Sequence, residues 1–136
     1  MSTPRYDWWP YVKGMIRRYP ELCRREADLH TTAVTPNYSG APGSHGGHTD
    51  PVANAALRTL PEVNRRELDA VRAAIRTTES LPSGRERMSF VKLYYWQRSH
   101  TIFGAANEIH ISEKTALRWN RELIMQVAKN FGLLEE

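Results

Sequence analysis

Between His110 and Trp119 the chain reads HISEKTALRW, and these residue types suit one kind of chemistry. Lys114 and Arg118 stand four apart, one turn on a helix, so both heads leave the same face. A guanidinium is a planar fork that matches the O6 and N7 acceptors of guanine, or two oxygens of a phosphate. Thr115 can hydrogen-bond a base edge or touch a thymine methyl. Glu113 can accept from a cytosine amino group, or merely favour the positive end of a helix. Glu113, Lys114, Thr115 and Arg118 are therefore the candidate base-reading set. Arg85, Arg87, Lys92, Arg98, Asn120 and Arg121 are candidates for the sugar–phosphate backbone, and the open amides at Ser112 could hold a phosphate.

Other chemistries find less support. General acid–base work needs paired groups held in a pocket, yet Asp28, Glu67 and Asp69 are expected on solvated faces. GAPGSHGGH lacks the Lys-Ser/Thr ending of a phosphate loop. His45 and His48 lie among glycines without a recognised ligand spacing, and Cys23 is the sole cysteine, so neither a metal site nor an internal disulfide is expected. No enzyme and no cofactor is expected.

To present Lys114 and Arg118, the last helix must be braced. Thr101 to Glu108 reads as a short helix capped by Thr101, and Ser112 caps a longer one that runs to about Phe131, where Gly132 can end it. A short helix, a turn of about three residues and a longer helix have the layout of a helix-turn-helix. Such a crossing needs small residues, supplied by Ala105 and Ala106. Ile109 and Ile111 lock the turn; Ala116, Trp119 and Leu123 face inward. His110 stands where glycine is common. The plainer alternative is a helical packing unit that binds nothing.

Upstream, Trp8, Val12, Met15, Tyr19, Leu22 and Leu29 form an apolar stripe at helical spacing. Pro20 interrupts it, which predicts one helix to about Arg18 and a second from Pro20 to about His30. Residues 34–50 read as a flexible linker rich in Gly, Ser and Pro. Residues 51–81 read as a long amphipathic helix, with Thr49 or Asp50 as cap and Pro51 in its first turn, kinked or started at Pro61. Its face of Leu60, Asn64, Leu68, Val71, Ile75 and Thr78 could pair with the N-terminal helices in a hairpin. Arg65, Arg66, Arg72 and Arg76 lie mostly off that face. LPSG makes a turn, and Met88, Val91, Tyr94 and Tyr95 point inward from the next segment. No stretch alternates as a half-buried strand does. The expected organisation is all-α: N-terminal helices at 1–33, the linker, the amphipathic helix, and a helix-turn-helix unit at 84–136.

The 136 residues carry a net charge of +4, with fifteen Arg against four Lys. That favours polyanions mildly, although a GC-rich genome gives the same arginine excess. No apolar run is long enough to span a membrane, the first residues do not read as a signal peptide, and a cytoplasmic setting is expected.

YPEL, the YSG…G…DP linker, a long helix and the C-terminal T…AA..I.IS..TA.RW…I..VA...GL together resemble phage late-transcription activators of the RinA/ArpU type, over most of the chain from Tyr19 onward. The C-terminal part is also similar to region 4 of sigma factors. The resemblance implies a small phage or prophage regulator whose helix-turn-helix spans Thr101 to Phe131, joined to the N-terminal helical hairpin that the apolar stripes suggest. Promoter DNA is its implied partner; as an activator the chain could also contact RNA polymerase through its N-terminal helices, and the apolar stripes could serve a homodimer, although a sigma-like reader can act as a monomer. It implies that Lys114, Thr115 and Arg118 read bases and that late genes for packaging, morphogenesis or lysis are switched on. A DNA-packaging adaptor such as a small terminase subunit is the competing expectation. Trp8, Trp9, His45 and His48 match nothing in that family.

Overall fold

The computed structural model describes residues 6–34 and 60–134, with residues 30–34 described for their backbone alone. Residues 35–50 of the expected linker, the caps at Thr49 and Asp50, and residues 51–59 lie outside the described residues; Leu60 and Pro61 are not helical, so the amphipathic helix expected over 51–81 is described only from Glu62. Among the described residues there are five α-helices: α1 (Trp9–Val34), α2 (Glu62–Ser80), α3 (Gly84–Val91), α4 (Ile102–Glu108) and α5 (Glu113–Phe131), with a π-helical stretch, Lys92–Trp96, continuing α3. Among the described residues there is no strand, so the all-α expectation holds.

Helix α1 corrects the reading of two N-terminal helices. It is one helix of 26 residues with Pro20 inside it. Proline has no N–H to give the carbonyl four residues back, which normally breaks a helix. Here that carbonyl, Ile16 O, accepts from the indole Nε1 of Trp96 at 2.9 Å. Tyr19 stacks on the same indole, with ring centroids 5.7 Å apart. The helix therefore continues because a distant side chain takes over the bond that Pro20 cannot make.

The inward faces of the helices close one main core. Val12, Met15 and Ile16 of α1 meet Val71 and Ala74 of α2, Phe90 and Val91 of α3, Tyr95, and Ile124 and Val127 of α5. A smaller cluster joins Leu22 to Leu60 and Leu68. Trp9 and Ile16 are buried although they lie off the stripe read from the sequence, and Trp8 is only half-buried. On α2 the expected face holds: Leu68, Val71 and Thr78 are buried, and Asn64 and Ile75 half-buried, while Leu60, also buried, precedes the helix. Glu67, expected on a solvated face, is instead buried at 3% exposure. Its carboxylate accepts from the Tyr11 hydroxyl and pairs with Arg18 at 3.2 Å, so two side chains of α1 compensate its burial.

Backbone details between helices are local and readable. A Cβ on Gly84 would stand 2.4 Å from the Glu79 carbonyl oxygen, so only glycine lets α3 leave the end of α2 this closely. In the π-helical stretch the Gln97 amide donates to Lys92 O at 2.7 Å, five residues back. That stretch carries Tyr95 into the core and Trp96 onto α1.

Candidate nucleic-acid interface

The short helix α4 begins where its sequence says it should. Thr101 Oγ1 accepts from the Gly104 amide at 2.9 Å. Ala105 and Ala106 are fully buried, and their small side chains let α5 cross close to α4. The turn is closed by two backbone bonds. Ile111 N donates to Ala106 O at 3.0 Å, and His110 N donates to Asn107 O at 3.2 Å. This is a Schellman closure, and its left-handed position is held by His110 at φ 64° rather than by glycine. Ile109 and Ile111 are half-buried against the core.

Helix α5 starts at a second cap. Ser112 Oγ accepts from the Thr115 amide at 3.0 Å, and its hydroxyl donates to Thr115 Oγ1 at 2.9 Å. Ala116, Trp119 and Leu123 are buried, as their spacing predicts, and anchor α5 on the core. The opposite side carries Glu113, Lys114, Arg118 and Arg121, all exposed, with Thr115 and Leu117 half-buried. Lys114, Arg118, Arg121 and Lys129 follow one another at helical spacing, so α5 bears a basic stripe about 22 Å long at 1.5 Å per residue. At its far end Gly132, at φ 96°, closes the helix, with Leu133 N on Ala128 O at 2.8 Å.

The backbone-contacting candidates separate into two groups. Arg85, Lys92 and Arg98 are exposed on α3, the π-helical stretch and the loop after it. Asn120 and Arg87 are placed differently from the sequence expectation. Asn120 is 6% exposed, and its Oδ1 accepts from the buried Tyr95 hydroxyl. It is a polar core residue and presents nothing to an external backbone. Burial pushes the Tyr95 phenol well above its ordinary range, which keeps it a donor to Asn120.

Arg87 lies across the ring of Trp119, its guanidinium carbon 5.1 Å from the centroid. Nε donates to Pro82 O at 3.1 Å and Nη1 to Glu122 at 2.7 Å, and the side chain is only 14% exposed. These fixed partners make it a brace between α3 and α5. Glu122, absent from the candidate set, also reaches Arg118 Nε at 3.8 Å. The four-residue spacing of Arg118 and Glu122 is visible in the sequence; the share taken by Arg87, from another helix, is not.

Beside the stripe lies a cleft of about 760 Å³ between the end of α2, α3 and α5. Phe90, Val91 and Trp119 line its floor, and Arg118, Arg121 and Glu122 line its edge. Among the described residues no three His, Cys, Asp or Glu side chains gather as a metal-binding group, and no helix is long and apolar enough to cross a membrane. No family model, no curated protein and no solved structure matches the chain.

Proposed function

We propose that the chain is a sequence-specific binder of duplex DNA that regulates transcription, an activator of phage or prophage late genes. The observation that carries this reading is the exposure of Lys114 and Arg118 on one face of α5, directly after a capped N-terminus and a close crossing over Ala105 and Ala106. Used as a helix-turn-helix, α4 braces α5 and the first turns of α5 enter the major groove. Arg118 reads a guanine edge, and Lys114 reaches a base or phosphate from one turn earlier. Glu113 and Thr115 complete the base-facing set. Thr115 does so with a hydroxyl already tied to Ser112. Arg121, Arg85, Lys92 and Arg98 anchor phosphates. RNA polymerase and a second copy of the chain are the proposed protein partners.

Selection of bound sequences from random duplexes tests the reading, with wild type and Arg118→Ala run side by side. Wild type should enrich one motif. The variant should lose preference at one position of it, by about 1–3 kcal/mol for a bidentate pair. No enrichment by wild type, or an unchanged motif from Arg118→Ala, overturns it.

A further inference from the structure

Glu122 stands at the edge of the basic stripe of α5, beside Arg118, where a carboxylate repels phosphate. Its position is fixed from outside the helix. One oxygen is held by Arg87 Nη1 at 2.7 Å. Arg87 is itself fixed by the Pro82 carbonyl and the Trp119 ring. The other oxygen lies 3.8 Å from Arg118 Nε. A chain of contacts thus runs from the core through Trp119, Arg87 and Glu122 to the side chain proposed to read a base.

We infer that Glu122 is the positioning and specificity residue of the α5 surface, an inference that rests on the duplex-binding reading above. It does two things. By standing 3.8 Å from Nε of Arg118 it draws that edge of the guanidinium toward itself and leaves the end-on pair of Nη groups to face an acceptor pair, the fork that matches a guanine edge. By placing a negative charge one turn from Arg118 it disfavours the alternative in which that arginine closes on a phosphate, the contact that carries no sequence information. Glu122 therefore weakens binding to unrelated duplex more than binding to the preferred site. Because it acts by orienting Arg118 and by its charge, and makes no contact with a base, its signature is in discrimination and salt dependence.

The test compares wild type, Glu122→Gln and Glu122→Asp on the duplex enriched by selection and on an unrelated duplex of equal length, across a series of salt concentrations. Glu122→Gln keeps an acceptor for Arg87 and removes the charge. It should bind unrelated duplex about fivefold tighter and the preferred duplex within about twofold of wild type, with a salt slope on unrelated duplex steeper by about one phosphate. Its thermal midpoint should match wild type. Glu122→Asp keeps the charge and should discriminate nearly as wild type does. If Glu122→Gln shows wild-type discrimination and salt slope while wild type still selects a motif, this inference fails and the duplex-binding reading stands. It fails equally if Glu122→Asp behaves like Glu122→Gln, because the charge is then not the cause. If wild type binds neither duplex, the duplex-binding reading fails, and this inference with it.

Discussion

The indole Nε1 of Trp96 donates to the carbonyl oxygen of Ile16 across 2.9 Å, the acceptor that residue 20 would satisfy if it were not proline. Two residues 80 positions apart thereby complete one turn of α1. The bond also ties α1 to the segment that leads into α4 and α5, so the base on which the basic stripe stands depends on it.

Trp96→Phe keeps most of the stacking on Tyr19 and removes the donor. The part-buried Ile16 carbonyl is then unpaired, which should lower stability by about 1–3 kcal/mol. Pro20→Ala restores an N–H four residues after Ile16, so it should stabilise the Trp96→Phe background more than the wild type. Urea denaturation of the four proteins in a double-mutant cycle measures the difference. Equal effects of Pro20→Ala in both backgrounds would show that Trp96 does not serve that carbonyl.

How far the sequence reaches depends on whether a signal is local. Thr101, Ser112 and Gly132 act within a few residues of themselves, and each was legible as a helix boundary. Ala116, Trp119 and Leu123 were legible from helical spacing. Asn120 was not. It lies about 100° from Trp119 on the helix wheel, and is buried only because α5 is covered from more than one side and Tyr95 supplies a donor. Glu67 and Arg87 follow the same logic: each looks like a solvated charge until a partner from another helix is placed beside it. Pro20 marks a break by every local rule, and its rescuer is remote.

Tyr11 offers a pH test of the α1–α2 contact. Burial first, and then its hydrogen bond to Glu67, push its phenol from 10.0 up to about 12. The folded state thus holds this proton more tightly than the unfolded chain. The stabilisation is complete below pH 10 and is lost as pH rises toward 12. Tyr11 is 39% exposed, so solvent screens part of the effect. Tyr11→Phe should be less stable near neutral pH and should lose less stability than wild type between pH 10 and 12. Parallel stability curves for the two proteins across that window would refute the linkage.

His110 holds a left-handed backbone at φ 64°, a conformation that costs a side-chain-bearing residue about 1–2 kcal/mol. Its ring is exposed, so little packing is lost on truncation. His110→Gly should raise stability by up to about 1 kcal/mol, the gain being reduced by the greater freedom of glycine in the unfolded chain. His110→Val should destabilise, because a branched Cβ suits that region worst. Thermal melts of both variants decide it; a loss of stability in His110→Gly contradicts the turn geometry.

Asn120 and Arg121 are neighbours in sequence with opposite surroundings, and that contrast gives the sharpest check on α5. Arg121 is exposed, so Arg121→Ala should change stability by no more than about 0.5 kcal/mol. On duplex DNA it should lower the salt slope by about one, the loss of one phosphate contact. Asn120→Ala strips the acceptor from a Tyr95 hydroxyl that is wholly buried. It should cost about 1–3 kcal/mol and leave the salt slope of whatever binding survives unaltered. Pairing Asn120→Leu with Tyr95→Phe removes both polar partners at once and should restore much of that stability. A reversed outcome, with Asn120→Ala stable and shallower in salt, would place Asn120 outside the core and rotate the face of α5 proposed to meet a duplex.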